Sequence, residues 1–246
     1  MSKKTKAEAR AAKAAAALAE RKRQQRRRNM ITGVSVGVAI VVIAGALIWF
    51  VSSREGVDES AASRASEYGV TIGDSDAPHS IVIYEDFLCP VCQALEAETR
   101  DELAELAADG EVQVSYRPFN LFSSEDDPRK PYSVDSAAAF AVVLEESGAE
   151  VAKELHDILY EEQPSESGPF PDAEWFVEKA VEAGAEEGDV RSGIEEGAGQ
   201  DWVTEATRKA AAAGVDSTPT ILLDGVEFRD GRTMEELGAN LVAAVE

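Results

Sequence analysis

Thiols and imidazoles are scarce in this chain. Its 246 residues include two cysteines and two histidines. A structural zinc site needs about four such ligands. His79 and His156 stand at no finger spacing from Cys89 and Cys92, so the pattern argues against a zinc site and implies neither metal nor cofactor. Basic residues are scarce too once the first 29 positions are set aside: 13 Lys/Arg then face 45 Asp/Glu. A surface of that sign repels phosphate backbones and anionic lipid head groups, which argues against nucleic-acid binding. Internal repeats are absent, and so are long apolar runs, with one exception.

The exception is "MITGVSVGVAIVVIAGALIWFV", residues 30 to 51, which carries no charge in 22 residues. As a helix it would measure ~33 Å, enough to cross the hydrocarbon core of a bilayer. A buried core helix is the poorer reading, because every face is apolar or small and "RKRQQRRRN" abuts the run. A cleaved signal peptide is the nearer rival. Its apolar region is usually ~7–15 residues with a small-residue cleavage site after it, whereas this run is longer and "FVSSREG" offers a weak site. The expectation is therefore an uncleaved anchor. Eleven of the 24 basic residues and two of the 47 acidic ones precede residue 30. The positive flank belongs in the cytoplasm, as a topology signal or as an Ala-rich basic helix near anionic lipid. Everything after Val51 then lies outside a plasma membrane crossed once, where disulfides form and persist.

Residues 52 to 67 lack periodic apolar positions and read as a tether. From 68 to 246 the pattern is that of one domain. "GVTIG" and "SIVIYEDF" (80 to 87) are strand candidates, "QALEAETRDELAELAAD" is helical, and "EVQVSYRPF" (111 to 119) is a strand stopped by Pro118. Strand, helix, strand in this length is a βαβ unit. Helical periodicity then runs over about 133 to 213. Val151, Leu155, Ile158 and Leu159 share one stripe, which leaves His156 on the solvated face. Pro171 opens a helix stopped by Gly184, and Trp202, Val203, Ala206 and Ala210 mark another. "TPTILLD" and "VEFRD" form a hairpin about Asp224-Gly225. Met234, Leu237, Leu241 and Val245 stripe the last helix. A central sheet with helices on its faces, an α/β fold with a helical insert, is the natural packing. His79 falls in a turn before the second strand.

Both cysteines lie in "DFLCPVCQAL". The strand delivers Cys89 to a helix N-terminus, where unpaired N–H groups and the helix dipole favour the thiolate, the form that attacks disulfides. Cys92 follows one helical turn later, within reach of a disulfide to Cys89. Pro90 suits the first turn, where its missing N–H is harmless. Val91 brings no charge, unlike a histidine in that place. A purely structural disulfide would close a very small loop and constrain the unfolded chain little, so a reactive dithiol is the favoured reading. Pro219 in "GVDSTPTILLDG" starts a strand, where a trans proline is the ordinary case and a cis bond after Thr218 the alternative.

Together, Cys-Pro-x-Cys after "IVIYEDF" and "STPTILLDG" before the last hairpin resemble the DsbA family of thioredoxin-fold oxidoreductases. "VSYRPFNL" and "ELHDILYEEQP" are similar to its second strand and helical insert, and the likeness covers about residues 68 to 246. The resemblance implies Cys89 as nucleophile, Cys92 as buried resolving thiol, and Pro219 as a cis proline beside them, with the Thr218 backbone pairing with a bound polypeptide. It implies exported cysteine-containing polypeptides as substrates and a DsbB-like or VKOR-like membrane partner. Many relatives carry a buried acid six positions before the first cysteine. Ile83 stands there in this chain, with Glu85 and Asp86 nearer the motif. Three functions are open: a dithiol oxidase for exported proteins, a reductase or isomerase using the same pair, and a redox-silent binding module, against which the intact pair argues.

Overall fold

The computed structural model describes residues 67–246 apart from residue 123. The basic segment, the apolar run and nearly all of the tether lie outside the described residues. No helix among the described residues is long and apolar enough to cross a membrane.

Among the described residues five strands form one sheet: β1 (Val70–Ile72), β2 (His79–Glu85), β3 (Val112–Pro118), β4 (Thr220–Leu223) and β5 (Val226–Glu227). Their order is β1-β3-β2-β4-β5. β2 and β3 are parallel, with Ile81 opposite Val114 and Ile83 opposite Tyr116. They are joined by helix α1 (Pro90–Ala108). The remaining pairings are antiparallel. Between β3 and β4 run five helices: α2 (Lys130–Ser147), α3 (Ala149–Glu161), α4 (Ala173–Glu182), α5 (Glu187–Glu195) and α6 (Gln200–Ala212). α7 (Met234–Ala243) closes the domain. The result is a mixed α/β thioredoxin-like fold with a helical insertion.

β2 sits mid-sheet, so both of its faces are covered. Ile81 and Ile83 enter the larger core with Leu95, Leu103, Val114 and Leu155. Val82 and Tyr84 enter a smaller core with Phe119, Ala206, Ala210 and Leu222. That explains a run without polar alternation. Each fully buried leucine contributes about 1.5–3 kcal/mol. The two-residue period carries a consequence for Glu85: it points to the same side as Ile81 and Ile83, into the core.

Local chemistry sets the boundaries. α4 starts at Ala173, two residues after the expected start at Pro171, with Asp172 as its N-cap accepting from the Trp175 N–H, which leaves Pro171 outside the helix. Asp224 and Gly225 adopt φ of 50° and 82°, as the tight hairpin requires. The Asp224 carboxylate also accepts from the Ser80 N–H at 2.8 Å and lies 2.9 Å from His79 Nδ1. That contact makes His79 the first residue of β2 rather than a turn residue. β5 stops at Glu227, shorter than "VEFRD" suggested. Gly199 precedes α6 because its backbone lies against α2; a Cβ there would meet the Ala138 carbonyl at 2.2 Å.

Candidate active site

β2 ends at Glu85 and α1 begins at Pro90 with Cys89 as its N-cap. No side chain caps α1, and its first turn has no acidic residue. The orphan N–H groups of a helix start are thus left to the cysteine sulfur. Both thiols are free. Cys89 is 6% exposed, Cys92 is fully buried, and Val91 between them is 43% exposed. The Cys92 thiol hydrogen-bonds to Cys89, and the backbone N–H groups of Cys92 and Val91 add to it. Together they outweigh burial and hold Cys89 at about 6. Cys92 is pushed well above the ordinary thiol range, by burial first and then by its bond to Cys89 and the Glu85 charge. The two thiols are therefore unequal: one is poised as thiolate, the other held as thiol.

The partners of the pair come from distant segments. Thr218–Pro219 is cis. The Cys89 thiol donates to the Thr218 carbonyl at 3.6 Å. A cleft of about 290 Å³ opens beside this contact, lined by Val91, Thr218, Pro219, Phe228, Met234 and Leu237. On the other flank Gln163 donates to the carbonyls of Phe87 (2.9 Å) and Cys89 (3.1 Å), and Gln93 donates to the Tyr160 carbonyl at 2.8 Å. The insert thereby clamps the cysteine turn. Asp86 braces the turn from below. Its carboxylate accepts from the N–H groups of Leu88 (2.8 Å) and Leu121 (2.9 Å) and from Ser133 Oγ. Burial raises it to about 6. Gln163 and Ser133 carry no local signal, since each matters only through a backbone group that the fold brings to it.

A second group lies beneath the dithiol. His156 is fully buried, which corrects the solvated position expected for it. Ala152, Leu155, His156 and Leu159 form one continuous buried stripe, and their i, i+3, i+4, i+7 spacing could have revealed it. His156 Nε2 lies 2.6 Å from Glu85 Oε1, and Nδ1 lies 2.9 Å from Asp157. Burial pulls the imidazolium down, but the Glu85 charge and the bonds to Asp157 and Glu85 outweigh it and hold His156 at about 9. Glu96, one turn after Cys92 on the same face of α1, is pushed up to about 8 by burial and the Glu85 charge. Ile83 is a core residue, and the acids whose charges act on the pair are Asp86, against Cys89, and Glu85, against Cys92. The ligand atoms of Glu85, Glu96 and His156 all lie within 4.8 Å of one another, the one such group among the described residues able by distance to hold an ion.

A family model described as thioredoxin matches residues 65–242. The chain is similar to the reduced form of the disulfide bond oxidoreductase DsbG from Mycobacterium tuberculosis: 29% identity, TM-score 0.63, covering 76% of this chain and 90% of that one. Reduced DsbA from the same organism matches at 29% identity and TM-score 0.60, covering 72% and 90%. The thiol-disulfide oxidoreductase MdbA from Corynebacterium diphtheriae, at 22% identity and TM-score 0.57 over 75% and 96%, shares the fold. Among curated proteins the chain is 27% identical over 160 residues to the serine/threonine-protein kinase PknE of M. tuberculosis. That match takes in 62% of this chain and 28% of the kinase.

Proposed function

Since this chain belongs to the thioredoxin family and is a thiol–disulfide oxidoreductase of the DsbA type, we propose that it acts as a membrane-tethered dithiol oxidase. Its substrates are exported cysteine-containing polypeptides. The observation that carries the direction is the inequality of the two thiols: Cys89 is held at about 6 while Cys92 stays a thiol. Stabilising one thiolate stabilises the reduced pair, and a pair stable when reduced is oxidising when joined.

In the cycle the pair begins as a Cys89–Cys92 disulfide. A substrate thiolate attacks Cys89 Sγ, the bond to Cys92 breaks, and Cys92 leaves and takes a proton. A second substrate thiolate attacks the substrate sulfur of the mixed disulfide. The substrate disulfide forms and Cys89 departs as the thiolate its helix N-terminus favours. Two electrons pass from substrate to the pair. The substrate chain lies in the cleft beside Val91 and pairs with the Thr218 backbone next to Pro219. Val91 adds no positive charge, so the chain is a milder oxidant than a relative with histidine there. A DsbB-like or VKOR-like membrane partner removes the electrons.

Two measurements test this reading. Cells quenched in acid and then tagged at free thiols should show Cys89 and Cys92 largely oxidised. A pair found mostly reduced would replace the oxidase with a reductase or isomerase. The location is supported by the uncharged run at residues 30 to 51 and its basic flank. External protease on spheroplasts should digest the domain from 68 onward and spare residues 1–29. A protected domain would refute the placement outside, and a mature chain starting near Ser53 would mean a cleaved signal.

A further inference from the structure

We propose that Glu85, Glu96 and His156 bind one divalent first-row transition-metal ion, with zinc as the probe, in a site behind the dithiol. The three side chains come from β2, α1 and α3, each on the buried face of its element. Their ligand atoms already lie within 4.8 Å of one another. Two carboxylates and one imidazole are a donor set of the kind zinc takes, and their two negative charges match a divalent cation.

Three further observations point to a ligand. Glu85 Oε2 and both carboxylate oxygens of Glu96 are buried with no hydrogen-bond partner, and so are the Tyr116 and Tyr160 hydroxyls around the same imidazole. Buried polar atoms are nearly always satisfied, and such a concentration of exceptions calls for an occupant. Next, His156 has the outer contact that metal-bound histidines have. Its Nδ1 lies 2.9 Å from the Asp157 carboxylate, which Lys153 holds in turn at 2.5 Å. This fixes the ring with Nε2 aimed at Glu85. Finally, the buried cluster lies next to a cleft. A cleft of about 300 Å³ between α1 and α3 has Glu96 and Tyr160 on its wall, with Gln93 and Arg100 beside them. The neighbouring cations do not oppose the ion unpaired, since Lys153 is bound to Asp157 and Arg100 to Glu161 at 2.7 Å. On binding, the ion takes the Nε2 lone pair and the free carboxylate oxygens, and protons leave to solvent.

The test uses the full-length chain in detergent with Cys89→Ser and Cys92→Ser, which removes the thiols as zinc ligands. After equilibrium dialysis against zinc and a gel-filtration step, metal analysis should find one zinc per chain. Adding Glu96→Gln should weaken binding more than about 100-fold, and Asp157→Asn about 10–100-fold, as loss of a ligand and of its outer partner do. Gln is isosteric with a protonated Glu96, and an unchanged cooperative unfolding transition in chelator shows that the variant is folded. Cobalt loaded in place of zinc should give visible bands of an oxygen and nitrogen ligand set, lost in Glu96→Gln. The proposal is overturned if the serine variant retains no zinc and gives no cobalt bands, in which case the cluster holds protons only. It is overturned equally if folded Glu96→Gln retains as much zinc as its parent.

Discussion

Cys92→Ala is expected to leave Cys89 joined to exported, cysteine-bearing polypeptides, while Cys89→Ala carries few such adducts. Cys89 is the thiol with an accessible edge and a stabilised anion; Cys92 has no exposed surface. A polypeptide thiol therefore meets Cys89 first. Release then needs a second thiol, from the substrate or from Cys92. Intramolecular groups in good register act at effective molarities up to about 10⁵ M or more, so deleting Cys92 slows one route of release by orders of magnitude. Adducts should appear as slow-migrating bands on non-reducing gels and collapse with reductant. Equal trapping by Cys89→Ala would remove the distinction between the two cysteines, and greater trapping would exchange their roles. The experiment does not decide direction, because oxidase and isomerase pass through the same mixed disulfide. The steady-state redox measurement separates them.

The second large effect is on pH. Alkylation of Cys89 in the reduced chain should titrate with a midpoint near 6, against ~8.5 for a free thiol. At pH 7 about nine-tenths of Cys89 is then thiolate, against roughly 3% of a free cysteine, a ~30-fold difference in reactive form before any loss of intrinsic nucleophilicity. The same shift makes stability depend on redox state. A thiol whose folded value is depressed stabilises the folded reduced chain in full above the unfolded value of ~8.5. That contribution is lost as pH falls through about 6. The oxidised chain has no such group. Urea unfolding of the two forms should therefore show a reduced-minus-oxidised difference that shrinks between about pH 8.5 and 6, and the pH dependence of the reduced chain over that range should flatten in Cys89→Ser. A difference that grows toward acid, or a midpoint near 8.5, would contradict thiolate stabilisation by the start of α1.

The sequence by itself determined what depends on near neighbours. β2, α1 and β3 were legible because strand and helix periods are local, and Cys-Pro-Val-Cys could be assigned to a strand-to-helix junction because a proline after the first cysteine suits a first helical turn. The Asp224-Gly225 turn was legible for the same reason: its conformation is set by those two residues. Element ends were less so. Asp172 capped α4 in place of the proline before it, and β5 ended at Glu227. The tertiary structure alone decided which distant groups meet. The Thr218 carbonyl reaches Cys89 across 129 positions, Gln163 reaches the Cys89 carbonyl across 74, and His156 reaches Glu85 across 71. The His156 error shows why. A polar residue beside a charged one reads as solvated when its helix is considered alone. Here α3 lies over the end of β2, where the strand period has already turned a carboxylate inward. The spacing within α3 could place His156 on the buried stripe, but the opposite charge that makes an imidazole stable there sits on another element, and no period within α3 carries that.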